Sequence, residues 1–122
     1  ALRFIEDKCR EVSIMNITTV LGKLDDPQFP KDDLDMVCVF DCLSEFSQSE
    51  EWMRNTKVYL KPDAYLVIIE PNRGKFPSAN HFLSWEEIMA MAAEAGFVQA
   101  IKVDASYLKR HMILLLEPKK EN

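Results

Sequence analysis

The 122-residue sequence is poor in the residues that build disulfide frameworks, metal sites and membrane spans. Its three cysteines, Cys9, Cys38 and Cys42, are an odd number without zinc spacing. We therefore expect no disulfide framework, no metal site, and reduced thiols in a cytoplasmic protein. No apolar run approaches the roughly 20 residues that cross a bilayer, and no secretory signal opens the chain. These absences argue against a membrane-spanning or disulfide-stapled protein.

The sequence also lacks an excess of positive charge. Its 15 lysine and arginine residues are outnumbered by 20 acidic residues, which gives a net charge of -5. Nonspecific nucleic-acid binding depends on many Lys and Arg contacts to phosphate, so we expect no nucleic-acid partner. The hydrophobic content is 48%, and the length is typical of one domain with its own core. Residues 1–122 are therefore interpreted as a single domain.

Apolar patterns along the first half predict one helix followed by strands. Residues 1–12 place apolar side chains at helical spacing. Residues 17–21 ("ITTVL") and 34–40 ("LDMVCVF") are rich in β-branched and aromatic side chains, which favours strands. The second of these is apolar enough to be buried on both faces, Cys38 included. Residues 65–70 ("YLVIIE") predict a central parallel strand.

Two capping boxes predict the starts of two further helices. Ser47 with Glu50, and Ser84 with Glu87, have the spacing in which each side chain bonds the other residue's backbone N–H. The first box predicts a helix of about 11 residues. The second predicts a helix that Gly96 ends, because glycine readily adopts the left-handed conformation found after helices.

The chain ends in two apolar stretches, 98–104 ("VQAIKVD") and 111–117 ("HMILLLE"), with only "ASYLKR" between them. This connection is too short for a crossover helix, so the two strands should pair antiparallel. The predicted fold class is α/β, with a mostly parallel sheet that finishes in a C-terminal antiparallel hairpin.

Four stretches, in this order and spacing, resemble the C-terminal two thirds of a class I S-adenosylmethionine-dependent methyltransferase domain. They are "GKLDDPQFP", "LDMVCVFDCLSEF", "YLKPDAYLVIIEP" and "SWEEIMAMAAEAGF", followed by a terminal strand pair. Such enzymes begin with a strand, a glycine-rich cofactor loop, a helix and a second strand. The three glycines here, Gly22, Gly74 and Gly96, lie in no such loop. We therefore expect a partial Rossmann-like sheet and an incomplete domain.

The resemblance implies S-adenosylmethionine as cofactor and places its binding residues. Asp25 or Asp26, in the segment that Gly22 begins, would accept a hydrogen bond from the adenine amino group. Asp41 and Cys42 would lie at the methionine end, near the methyl group. The register of the adenine-binding acid stays open, and so does a structural role in which one aspartate caps the turn and the other faces solvent. A packing role for Cys42 also stays open.

The resemblance also points to residues that take a proton from the methyl acceptor. Asp41 and Glu45 are the available acids, with loop-capping and surface roles as the alternatives. His81, in the long loop before the last helix, is a candidate base or substrate contact. Arg73 and Lys75 are weaker candidates for an anionic substrate. His111 begins the last strand, and we expect it to be structural and away from the cleft.

The predicted function is methyl transfer to an unidentified small or macromolecular acceptor, with this chain as the C-terminal part of the catalytic domain and inactive alone. The alternative is a noncatalytic methyltransferase-like interaction or regulatory module. An incomplete sheet leaves a strand edge unpaired, and such an edge invites association, so we also expect a homo-oligomer.

Overall fold

A four-stranded sheet organises the fold. The computed structural model describes residues 1–75, 82–104 and 106–120. The strands are β1 (Leu34–Phe40), β2 (Leu60–Pro71), β3 (Phe97–Ile101) and β4 (His111–Pro118). They lie in the order β1-β2-β4-β3, with β1 parallel to β2 and the other pairs antiparallel. The α/β class and the terminal hairpin are confirmed, and β2 is central as predicted.

In the described part of the chain, three α-helices accompany the sheet. They are α1 (Leu2–Glu11), α2 (Ser49–Thr56) and α3 (Trp85–Glu94), and a 3-10 turn, Lys57–Tyr59, continues α2 directly. Helix α3 has the predicted capping box, because the Ser84 hydroxyl accepts from the Glu87 N–H while the Glu87 carboxylate accepts from the Ser84 N–H. Gly96 follows it with φ +90°. The other predicted box is wrong, since α2 is preceded by Gln48 without a side-chain capping bond.

Strand β2 is longer than the sequence indicates. It starts at Leu60 and runs through Pro62, five residues before the predicted start of the strand at residue 65. Leu34 of β1 pairs with Leu60, but Met36 already pairs with Tyr65, so the pairing register shifts between them. Proline has no N–H to donate and is tolerated in strands at such irregularities, which explains how Pro62 fits within β2.

The core lies on one face of the sheet, between the strands and helices α2 and α3. Strand β2 contributes Leu66 and Ile68, α3 contributes Ile88, and β4 contributes Leu114, each fully buried. On β1 the burial alternates: Val37 is buried, whereas its neighbour Cys38 is exposed. The expectation that β1 is buried on both faces is therefore wrong, because no described helix covers its second face.

The predicted strand at residues 17–21 is also wrong. These residues are in no strand, and the only pairing in that part of the described chain is an isolated bridge between Lys23 and Asp26. A strand is stable only when a neighbour satisfies its backbone groups. Apolar side chains in this segment, including Ile17 and Leu21, are exposed. The β-branched sequence is present, but no described strand lies beside it.

The two capping predictions provide a matched test of helix α3. Replacing Ser84 with alanine removes the acceptor for the Glu87 N–H and should lower the free energy of unfolding by about 0.5–2 kcal/mol. Ser47→Ala is the control, because Ser47 is exposed and caps nothing, and it should change stability by less than about 0.5 kcal/mol. Urea unfolding followed by circular dichroism measures both. Equal losses in the two variants would contradict this assignment.

Candidate active site

Two polar side chains, those of Asp41 and His111, meet where the parallel strands end. Asp41 follows β1 with φ +54°, an uncommon conformation that aspartate tolerates better than most residues. Its N–H donates to the Ile69 carbonyl at 2.8 Å, which continues the β1–β2 pairing by one residue. Its carboxylate oxygens lie 3.0 and 3.1 Å from His111 Nε2. The His111 ring is also 6.2 Å from the Phe40 ring, centroid to centroid.

The expectation that His111 lies away from this edge is wrong. Because β4 runs antiparallel to β2, its first residue lies opposite the last residue of β2, and His111 pairs with Pro71. The sequence predicts the terminal hairpin but not the strand beside which β4 lies, and that neighbour decides which edge of the sheet His111 reaches.

Glu70 supports the loop beneath this edge. Its side chain is 1% exposed, and Oε1 accepts the Ser44 N–H at 3.0 Å. Burial raises the pKa of Glu70, and backbone hydrogen bonds from Ser44 and Leu43 oppose that rise. The second oxygen, Oε2, is buried without a hydrogen-bond partner among the described residues. Glu70 therefore fixes the 3-10 turn Leu43–Glu45, which carries Glu45 outward.

Cys42 is a poor nucleophile in this setting. It is half-buried and packs against the core, and burial is the main cause that raises the pKa of its thiol. A raised pKa reduces the thiolate fraction on which cysteine reactivity depends. Among residues 1–75, 82–104 and 106–120, no group of three or more His, Cys, Asp or Glu side chains is arranged to hold a metal ion.

A groove of about 600 Å³ lies beside the 3-10 turn Leu43–Glu45. It is lined by Gly22, Lys23, Leu24, Asp25, Glu45, Phe46, Gln48 and Trp52. The Phe46 and Trp52 rings pack together with centroids 5.0 Å apart. The Asp25 backbone carbonyl accepts from Asn55 Nδ2 at 2.7 Å, while its carboxylate has no hydrogen bond from any described residue. The groove thus combines a free carboxylate with aromatic surface.

The neighbouring Asp26 has a different position. Its carboxylate accepts from the Gln28 N–H at 2.8 Å and from the Tyr59 hydroxyl at 2.7 Å. The hydrogen bond from the Tyr59 hydroxyl is the main cause that raises the pKa of Tyr59. Asp26 does not line the groove. Gly22 lies at a close approach of the chain, since a Cβ there would lie 3.0 Å from the Pro27 carbonyl oxygen.

Of the other predicted site residues, one lies outside the described residues and the rest lie near this edge of the sheet. His81 lies outside the described residues. Arg73 is paired with Glu87 at 2.6 Å. Asp41, Cys42 and Glu45 occupy consecutive parts of one loop, from the end of β1 to the groove.

The α/β sheet matches the fold of solved S-adenosylmethionine-dependent methyltransferases over part of their length. No protein-family model and no curated protein matches the chain. Among solved structures, an S-adenosylmethionine-dependent methyltransferase from Aquifex aeolicus aligns with a TM-score of 0.80 and 19% identity, over 94% of this chain and 62% of that one. The chain thus spans less than two thirds of that relative.

Two other similar structures show what the fold accommodates. LepI, solved in complex with S-adenosylmethionine, aligns with a TM-score of 0.75 and 12% identity over 98% of this chain and 35% of its own. A protein described as a pericyclic reaction enzyme aligns with a TM-score of 0.71 and 11% identity over 92% and 34%. The TM-scores establish a shared fold. Because the sequence identities are this low, the reaction has to be argued from the site.

The two cysteines on either side of Asp41 should differ in reactivity. The predicted burial of Cys38 implies slow labelling, but the structure shows that Cys38 is exposed. Cys42 is half-buried and the pKa of its thiol is raised, so its reaction should be slow. In the native protein at neutral pH, iodoacetamide should modify Cys38 first and Cys42 last, as followed by peptide mass spectrometry. All three thiols should react in denaturant. Native labelling of Cys42 as fast as that of Cys38 would contradict the described packing.

The buried Glu70 should make stability depend on pH. Because burial raises its pKa in the folded state, the folded protein binds this proton more tightly than the unfolded chain. The associated stability is complete below the ordinary glutamate range and is lost as pH rises through the folded pKa. Glu70→Gln carries no such charge, so the difference in unfolding free energy, variant minus wild type, should increase from about pH 5 to about pH 8.

The control for this experiment is Glu94→Gln, at an exposed glutamate on α3. Chemical denaturation across the pH series measures all three proteins. A pH-independent difference for Glu70→Gln, or an equal slope for Glu94→Gln, would show that Glu70 does not titrate as its burial requires.

Proposed function

We propose that this chain forms the C-terminal part of an S-adenosylmethionine-dependent methyltransferase domain and contributes to methyl transfer to an unidentified acceptor. The fold supports methyl transfer in general terms. The observation that carries the proposal is the unpaired Asp25 carboxylate, which lies in a groove with Phe46 and Trp52. That groove adjoins the loop that leaves β1, and open α/β sheets bind ligands beyond the carboxyl ends of their strands.

The residues present fit the adenosine end of the cofactor. The free Asp25 carboxylate accepts hydrogen bonds and suits the adenine amino group, and the flat adenine ring suits the aromatic surface beside it. The groove volume of about 600 Å³ is within the range of small-molecule pockets. In this proposal Asp25 binds adenine, while Gly22 and Asp26 hold the loop in shape through the close turn and the hydrogen bonds to Gln28 and Tyr59.

At the methionine end, this chain contributes the loop from Asp41 to Glu45. When bound, the cofactor supplies the methyl group as an electrophile on a sulfonium sulfur. Asp41 and Glu45 provide carboxylates near that position, and the half-buried Cys42 provides packing surface. Asp41 is oriented by His111 at 3.0 Å. His81 retains its predicted role as a base or substrate contact. The three glycines of the chain form no glycine-rich loop, so we expect weak cofactor binding.

A second candidate is a noncatalytic interaction or regulatory module that self-associates. It is favoured by the exposure of large apolar side chains in the N-terminal segment, where Met15 is 95% exposed, Leu21 81% and Phe4 66%. The outer edge of β1 also has no partner strand among the described residues. A chain that associates through this surface and binds no adenosine compound would fit this candidate.

A cytoplasmic location is proposed from the cysteines. All three are free thiols, which suits a reducing compartment. Within the described part of the chain, no helix is long and apolar enough to cross a membrane.

The two tryptophans allow a direct test of the adenosine assignment. Trp52 lines the groove and Trp85 does not, so S-adenosylhomocysteine should shift the Trp52 indole N–H resonance in the NMR spectrum of the labelled chain. Asp25→Ala removes the acceptor and should weaken this binding by about 2- to 13-fold, the value of one hydrogen bond of 0.5–1.5 kcal/mol. Trp52→Phe identifies the resonance.

Lys23→Ala is the matched control, since Lys23 lines the same groove but provides no acceptor for the adenine amino group. Asp26→Ala separates the two aspartates: it should chiefly lower stability, because it removes the acceptor for the Gln28 N–H and the Tyr59 hydroxyl. Equal affinities of the wild type, Asp25→Ala and Lys23→Ala, or an unmoved Trp52 resonance, would count against the assignment.

A further inference from the structure

A second and larger cleft, of about 900 Å³, lies at the hairpin end of the sheet. Its lining includes Lys75, Trp85, Lys102, Ser106, Lys109 and His111. Among the described residues, no aspartate or glutamate lines it, although acidic residues outnumber basic ones by 20 to 15 in the sequence. The cleft therefore concentrates positive charge in an acidic protein.

The lysine charges in this cleft are not neutralised. Lys75, Lys102 and Lys109 form no ion pair with any described residue, whereas Lys61 elsewhere is paired with Asp35 at 2.8 Å. Unpaired lysines that converge on one concave surface attract a negatively charged group. The volume of the cleft is within the range of small-molecule sites. Its size and its positive charge together favour a small anion as ligand.

The rest of the lining is apolar enough to hold a ring. Trp85 is 43% exposed, and Val103, Leu108 and Ile113 also face the cleft. A small inorganic anion would use only the lysines. A ligand with an aromatic body and a carboxylate would use both kinds of surface.

His111 connects this cleft to the end of β1. Its Nε2 lies 3.0 Å from the Asp41 carboxylate, which favours the tautomer with the proton on Nε2. In that neutral tautomer Nδ1 is a hydrogen-bond acceptor, and no described residue donates to it. A ligand hydroxyl in the cleft can therefore donate to Nδ1.

We propose that this cleft binds a small aromatic carboxylate, with its anionic group at Lys102 and Lys109, its ring against Trp85 and a hydroxyl at His111 Nδ1. The binding site is independent of the adenosine groove. Its assignment as the methyl-acceptor site rests on the proposed function.

The probes are 4-hydroxybenzoate, the neutral 4-hydroxybenzamide and benzoate, titrated into the ¹⁵N-labelled chain. Only 4-hydroxybenzoate carries both the charge and the hydroxyl, so it should bind most tightly and shift the Trp85 indole resonance while that of Trp52 stays in place. Benzoate should bind about 2- to 13-fold more weakly through loss of one hydrogen bond. Failure of 4-hydroxybenzoate to shift Trp85, or equal binding of the amide, overturns the proposal.

Lysine variants test where the anion lies. Lys102→Gln and Lys109→Gln should each weaken 4-hydroxybenzoate by about 1.4- to 5-fold, the range for an exposed ion pair. Lys119→Gln, at an exposed lysine beyond the far end of β4, is the control and should leave the affinity unchanged. Equal effects at all three positions would mean general charge attraction and would overturn the site.

Two further titrations complete the design. Inorganic phosphate that competes as strongly as 4-hydroxybenzoate would disprove the aromatic part of the assignment. S-adenosylhomocysteine tests the proposed function separately, because it should shift Trp52. Shifts at Trp85 without shifts at Trp52 would support this cleft and contradict the adenosine groove, and the reverse result would contradict only the cleft.

Discussion

The position of β4 beside β2 is the constraint on which the site depends. Strand β2 is paired on both sides, parallel with β1 and antiparallel with β4. Antiparallel entry brings the first residue of β4 to the edge at which β1 and β2 end. His111 and Asp41 come from sequence positions 70 residues apart, yet this pairing leaves them within hydrogen-bond distance. A parallel β4 would place His111 at the opposite edge.

Glu70 shows how the same edge is held in shape at a cost. A carboxylate almost completely removed from water is unfavourable unless hydrogen bonds compensate. Backbone donors from the turn after β1 provide part of that compensation, but one oxygen remains without a partner among the described residues. The buried Glu70 therefore holds the turn that carries Glu45 to the groove. The stability of this turn and the geometry of the site depend on the same hydrogen bonds.

The two faces of the sheet differ in a way that bears on association. Val37 and Val39 of β1 are buried beneath the helical layer, whereas Met36 and Phe40 on the other face are 51% and 62% exposed. Together with the apolar N-terminal segment, this face exposes several large hydrophobic side chains. The similar structures are longer, since the chain covers 62% of the Aquifex aeolicus protein.

The features that the sequence predicts correctly are those that depend on residues close together in the chain. The Ser84–Glu87 box and Gly96 bound α3 because capping and left-handed turns are local interactions, and the short link before residue 111 required an antiparallel hairpin. Residues 17–21 and Cys38 were misjudged because strand formation and burial depend on what lies alongside, which no local pattern specifies. The sequence does not distinguish Asp25, whose carboxylate is free in the groove, from Asp26, whose carboxylate accepts from Tyr59. It also does not predict the contact between His111 and Asp41. Both depend on contacts between residues far apart in the chain, and for His111 the order of the strands decides the contact.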